Sequence, residues 1–253
     1  TTSDEFGELS SAFNQMGDGL NERERLREAF GTYLDEEVAS HIISEDYDPE
    51  GAEVEVSLVF CDVQAFTTAA AGSSAPEIVA RLNELFECVV PIVARHRGHI
   101  DQFIGDGVLA VFGTPNRMSD HADRAVQCAV ELARTVNSRR PGGFEVGIGV
   151  NTGQVVAGSI GGAGRFSFSV IGDAVNLCSR VEAATRDTGD PVLITANTRA
   201  QLSETIEVQE RGKLEIRGYD RRVELYAPLV PDAVLSGDGG ADSITGHDGN
   251  DTL

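Results

Sequence analysis

His99-Ile100-Asp101-Gln102-Phe103-Ile104-Gly105-Asp106-Gly107-Val108-Leu109-Ala110-Val111-Phe112 is the stretch that decides the fold class. Two short apolar runs, 99–104 and 108–112, flank a Gly-Asp-Gly tip, which predicts a β-hairpin. Upstream, Glu53 to Phe60 alternates and then turns continuously apolar, as a strand entering a core does. Between these, Pro76 opens a predicted helix to about Arg97, with Ile78, Leu82, Leu85, Val89 and Val93 on one face and Gly98 after it. Downstream, a helix is predicted over 119–138, strands over 144–151 and 153–159, a loop over 161–164 and a short extended run over 166–171. A helix from Asp173 to about Arg186 follows, then strand 191–195, helix 196–203 and strands 205–211 and 222–227. Hairpins mixed with helices imply an α+β domain over 52–228 rather than a doubly wound sheet.

Two further regions flank this domain. Phe6, Leu9, Phe13, Met16 and Leu20 form a heptad seam that falters at Arg23 and Arg27 and resumes at Phe30 and Leu34. Residues 1–45 therefore read as a helix that pairs with a copy of itself, with a stutter or hinge in the middle. Residues 236–253 repeat G-x-x-G-x-D-x-hydrophobic at a nine-residue step, the pattern of a calcium-binding β-roll, with Asp242 and Asp251 as candidate Ca²⁺ ligands. Two repeats bury too little to order by themselves, so this tail is expected to be disordered without calcium.

The chain of 253 residues carries 20 Lys and Arg against 41 Asp and Glu, a net charge of −21. That surface argues against nucleic acid as a partner, and an anionic substrate would need metal ions or a few placed cations. Cys61, Cys88, Cys128 and Cys178 form no CxxC pair and sit in apolar runs, as buried reduced thiols do. No apolar run reaches the roughly 18 residues of a membrane span.

Asp62 follows directly on a buried strand in Phe60-Cys61-Asp62-Val63-Gln64-Ala65-Phe66-Thr67, and Asp106 sits at the hairpin tip. If the two strands are neighbours, the carboxylates converge. Such hard oxygen ligands, leaving places for water and phosphate, suit Mg²⁺ or Mn²⁺. In Val170-Ile171-Gly172-Asp173-Ala174-Val175-Asn176-Leu177-Cys178-Ser179-Arg180, Asn176 and Arg180 share a helix face, and an Arg fork there suits phosphate.

Taken in order, these three segments resemble the signature regions of class III adenylyl and guanylyl cyclase catalytic domains, and the resemblance spans about 52–228. It implies a ferredoxin-like βαββαβ core, two catalytic domains paired head to tail as a homodimer, and two Mg²⁺ or Mn²⁺ ions per site. By this resemblance Asp62 and Asp106 are metal ligands assisted by the carbonyl of Val63, Asn176 orients the ribose and Arg180 stabilises the α-phosphate. Phe66 and Thr67 belong to the substrate-binding segment, and Arg217 stands where the family usually has a phosphate-binding Lys. The purine-selecting positions fall on Gln102, where adenylyl members carry Lys, and on Ser169, where they carry Asp or Thr. Guanine-selecting members carry Glu and Cys there. The implied function is conversion of ATP to cyclic AMP and pyrophosphate in signal transduction. A guanylyl cyclase, or a degenerate fold that binds nucleotide and relays a signal, stands as the alternative. The segment from Asp4 to Met16 resembles the end of a HAMP module, and the segment from Leu26 to Tyr33 resembles the linker of mycobacterial-type enzymes. The expected setting is the cytoplasmic catalytic region of a membrane-anchored parent.

Overall fold

The computed structural model describes residues 51–162, 165–215 and 222–229. The predicted coiled coil, the HAMP-like segment, Arg217, and the tail with Asp242 and Asp251 lie outside the described residues.

The elements run β1 (Ala52–Val63), α1 (Phe66–Ala69), α2 (Ala75–Arg95), β2 (His99–Ile104), β3 (Gly107–Phe112), α3 (His121–Arg139), β4 (Val146–Gly162), β5 (Arg165–Ile171), α4 (Asp173–Ala183), α5 (Thr185–Thr188), β6 (Val192–Thr195), α6 (Ala196–Arg199), β7 (Val208–Glu215) and β8 (Arg222–Pro228). Among the described residues one sheet holds all eight strands, in the order β2-β3-β1-β4-β6-β8-β7, with β5 paired to the far end of β4. The segment from β1 to β4 makes the expected βαββαβ unit, with β1 between β3 and β4 and antiparallel to both.

Two apolar layers fix this arrangement. One face of the sheet packs against α2 and α3 through Leu85, Val89, Val93, Val126, Leu132 and Phe112, all almost wholly buried. The alternation along β1 sends Val56, Leu58 and Phe60 to the other face, where they meet Phe168, Val170 and Cys178. Helix α2 starts cleanly because Ser74 and Glu77 form a reciprocal cap, with the Ser74 amide donating to Glu77 Oε2 at 2.7 Å.

Most predicted elements appear with shifted ends. The strands predicted at 144–151 and 153–159 are one 17-residue strand, β4. Gly153 does not break it, because the missing side chain admits the Cβ of Ala174 from α4. The helix predicted from Asp173 to Arg186 stops at Ala183 and restarts for one turn at Thr185. The helix predicted over 196–203 is a single turn. Cys61, Cys128 and Cys178 are buried and free as expected, while Cys88 is half-buried.

Helix α4 lies unusually close to β4. A Cβ at Gly149 would collide with the backbone of Cys178 and Glu182. A buried chain of hydroxyls joins the sheet to the same helix: Thr195 donates to Asn151 Oδ1 at 2.8 Å, and Asn151 Nδ2 donates to the carbonyl of Ala174 at 2.9 Å. These groups lie out of water and satisfy one another. We expect Gly149→Ala to lower stability by about 1–3 kcal/mol through overpacking, measured by urea unfolding. Gly162→Ala, where a Cβ meets nothing within 4 Å, should stay within about 0.5 kcal/mol of wild type.

Candidate active site

Asp62 is the penultimate residue of β1, and Asp106 sits in the turn between β2 and β3. Cys61 pairs with Val108 across the β1–β3 ladder, so the end of β1 abuts the hairpin tip. Gly107 makes the approach possible, since a Cβ there would stand 2.7 Å from Asp62 Oδ1. The two strand ends thus bring both carboxylates to one edge of the sheet, as the sequence predicts for adjacent strands. Val63, buried and paired with Val146, holds its peptide beside them.

The charge of this pair is felt. Burial raises the Asp62 carboxyl above its ordinary range, the Asp106 charge raises it further, and Arg186 works against both. Arg186 Nη2 donates to Asp62 Oδ2 at 2.9 Å and lies 3.2 Å from Glu182 Oε1. The second contact lacks hydrogen-bond geometry, so Glu182 Oε1 is buried without a hydrogen-bond partner among the described residues. Burial pushes Glu182 up to about 7, with Asp62 and Asp106 adding to the rise and Arg186 opposing it. Sequence reading missed Glu182 and Arg186. Their i, i+4 spacing reads as an ordinary helix pair, and only the β1–β4 register, with Asp62 opposite Gly147, brings them to the acid pair.

The residues fit a divalent cation. Two converging carboxylates with one guanidinium between three acids leave a demand for positive charge that a metal ion satisfies. Among the described residues no group of three or more His, Cys, Asp or Glu side chains is gathered as a metal cluster. Two carboxylate donors, with the remaining places left to water and phosphate, are the donor set that Mg²⁺ takes.

The other predicted residues occupy two further places. Asn176 and Arg180 lie one turn apart on α4, the first exposed and the second half-buried, while Glu182 near the end of that helix reaches the Asp62 edge. Asn176 is six residues from Glu182, or about 9 Å along the axis at 1.5 Å per residue. Gln102 is exposed on β2, and Ser169 on β5 is brought to the same strand, where its hydroxyl donates to Asp101 Oδ2 at 2.9 Å. Asp101 was not singled out in the sequence. A lone acid in the apolar run 99–104 was the available signal. Phe66 turns its ring into the core, 5.9 Å from Phe144, and Thr67 is exposed beside it. Ala65, just before them, holds the left-handed conformation at φ 53°, which a residue with a side chain rarely adopts.

This fold, with two acids at its edge and a paired set of polar residues on α4, β2 and β5, defines a nucleotide-directed α+β domain of the cyclase type. The chain belongs to the adenylate and guanylate cyclase catalytic domain family, whose model matches residues 50–227. An uncharacterized protein of Mycobacterium tuberculosis (strain ATCC 25618 / H37Rv) is 37% identical over 227 residues, covering 89% of this chain and 40% of that protein. The chain thus spans about 40% of the length of the curated relatives it matches. Among solved structures, the adenylyl cyclase CyaB from P. aeruginosa superposes with TM-score 0.65 at 26% identity, covering 72% of this chain and 97% of that one. The guanylyl cyclase Cya2 superposes with TM-score 0.61 at 30% identity, covering 70% and 93%. Family and fold are therefore those of class III nucleotidyl cyclases, which generally use divalent metal ions. Among the described residues no helix is long and apolar enough to cross a membrane.

Linkage predicts a stability signature of the buried acid. Glu182 holds its proton more tightly in the folded chain, about 7 against an ordinary 4.5. Between those values the folded state binds the extra proton, so its contribution to stability falls as pH rises. With a chelator present, unfolding of wild type and Glu182→Gln should therefore diverge across this window. Wild type should lose up to about 3 kcal/mol relative to the variant. Parallel pH profiles would contradict the buried-acid assignment.

Proposed function

We propose that this domain is an adenylate cyclase that works as a head-to-tail homodimer and converts ATP to 3′,5′-cyclic AMP and pyrophosphate. The observation that carries the proposal is the convergence of Asp62 and Asp106 from adjacent strand ends, with Gly107 leaving room between them. Asp62, Asp106 and the carbonyl of Val63 would hold two Mg²⁺ or Mn²⁺ ions, which supply a lowered pKa at the attacking hydroxyl and neutralise the departing pyrophosphate. The ribose 3′-oxygen attacks the α-phosphorus and gives its proton to solvent. The bond from that phosphorus to the bridging oxygen breaks, and pyrophosphate leaves.

Asn176 orients the ribose, and Arg180 supplies a rigid donor fork to the α-phosphate as negative charge grows there. Arg217 takes the terminal phosphates, and the segment at Phe66 and Thr67 lies against them. Gln102 and Ser169 face the purine. An amide both donates and accepts, so Gln102 satisfies the N1 and exocyclic edge of adenine without a Lys.

Apolar surface supports pairing of two chains. Val156 and Ile171 stand opposite each other on β4 and β5, 45% and 57% exposed, and Phe103 on β2 is 52% exposed. Exposed apolar side chains set side by side, as Val156 and Ile171 are, mark interaction surfaces. In the parent protein the domain would face the cytoplasm behind a membrane anchor, with the helix of residues 1–45 joining the two copies.

Complementation tests the shared site. Asp106→Ala should be inactive and Arg180→Ala nearly so when each is assayed alone with Mn²⁺ and ATP. A mixture allowed to exchange chains contains heterodimers with one doubly damaged site and one intact site, so cyclic AMP production should recover to about a quarter of wild type, assuming random pairing. No recovery, with chain exchange demonstrated by a tagged copy, would overturn the shared-site dimer.

A further inference from the structure

Asp101 stands at an irregularity of the sheet. Ile100 pairs with Ala110 and Gln102 with Leu109, so Asp101 is the extra residue of a β-bulge. A bulge bends the strand and re-aims side chains. Here it carries the Asp101 carboxylate to Ser169 on β5, where the hydroxyl donates at 2.9 Å to Oδ2. Asp101 Oδ1 is buried and has no hydrogen-bond partner among the described residues. The carboxylate is turned toward Ser169 and the Val170 amide.

We infer that Asp101 is a positioning residue for purine selection: it captures the only proton of the Ser169 hydroxyl and so leaves Ser169 able to accept but not to donate toward the base. The inference rests on the reading of Ser169 as a purine-facing residue. Its logic is that of donors and acceptors. A hydroxyl has one proton and two lone pairs, and an ionised carboxylate can only accept. Ser169 must therefore be the donor in its bond to Asp101. Turning that proton toward a nucleotide would strip the carboxylate of the one side-chain hydrogen bond it has among the described residues, which is costly with Oδ1 lacking a partner there.

Burial raises Asp101 to about 6, against the pull of Ser169 and the Val170 amide. It is therefore mainly ionised at neutral and higher pH, and the polarity of the bond is fixed there. The lone pairs of Ser169 then suit the exocyclic amino group of adenine, a donor, and oppose the O6 carbonyl of guanine, an acceptor. Gln102 completes either base, because its amide can turn over. Discrimination in this pocket thus lies in Ser169, and its direction is set from behind by Asp101.

The test is the ratio of kcat/KM for ATP to that for GTP, measured with Mn²⁺ on wild type, Asp101→Asn, Ser169→Ala and the double variant. Asn keeps the shape of Asp101 but can donate to Ser169, freeing the hydroxyl proton. We expect Asp101→Asn to move the ratio toward GTP by about ten-fold, the worth of one net hydrogen bond. In the Ser169→Ala background the same change should move it no further, since the two residues act as a unit. A purely structural role would depress both substrates alike and leave the ratio in place. Where a variant turns over too slowly, equilibrium binding of fluorescent ATP and GTP analogues gives the ratio of ground-state affinities, which should move in the same direction. A wild type that favours ATP with an unmoved ratio in Asp101→Asn overturns this inference alone. A wild type that favours GTP overturns the adenine reading, and with it the polarity assigned to Ser169.

Discussion

Like charges forced together at the end of a folded strand are the constraint on which this domain turns. Asp62 cannot leave the end of β1, because the register of β1 against β3 and β4 is fixed along its length by the two apolar layers. Asp106 is held at the hairpin tip by the pairing of Ile104 with Gly107 on either side of it, and Gly105 takes the left-handed φ of 64° in that turn. The sheet therefore holds two half-buried carboxylates at one edge, close enough that the Asp106 charge raises the Asp62 carboxyl. Glu182 adds a third acid, and Arg186 is the cation that the chain itself supplies. The folding energy of the core is what maintains this concentration of charge, and that charge is what a cation-dependent phosphate chemistry requires.

Helix α4 ties the rest of the domain to that edge. Its backbone rests on Gly149, and its first turn is held by Asn151, itself fixed by Thr195. Cys178 closes the seam, donating to the carbonyls of Leu58 and Gly149, and burial pushes its thiol up to about 12. One rigid helix therefore spaces Asn176 and Arg180 from the Glu182 end that meets Asp62. Errors of register in β4 would move both sets of residues together.

The α+β character and the order of elements were legible because strands and helices differ in apolar period and Gly-Asp-Gly marks the hairpin, while the βαββαβ core was implied by the family resemblance. Asp62 and Asp106 were legible because a charged residue that ends a buried strand stands out against its neighbours. The continuity of β4 was not legible: the sequence reads as two strands, 144–151 and 153–159, and the approach of Ala174 explains why Gly153, without a side chain, belongs inside one continuous strand. Asp101 escaped for a related reason. The short run 99–104 gives no hint of an added residue, and the bulge appears only when β2 is laid against β3. Glu182 and Arg186 are near Asp62 in space but about 120 positions away in sequence, and local pattern cannot report such a meeting.

The claim that the Asp62–Asp106 edge is a divalent cation site is tested most directly by counting bound metal. The purified chain would be dialysed to equilibrium against Mn²⁺ with a 3′-deoxy analogue of ATP, which lacks the attacking hydroxyl. Mn²⁺ retained by wild type would then be compared with that retained by Asp62→Asn and Asp106→Asn. Wild type should retain up to two ions per site, and either substitution should remove most of them while the folded sheet persists by circular dichroism. Equal retention of Mn²⁺ by wild type and both variants would contradict that claim.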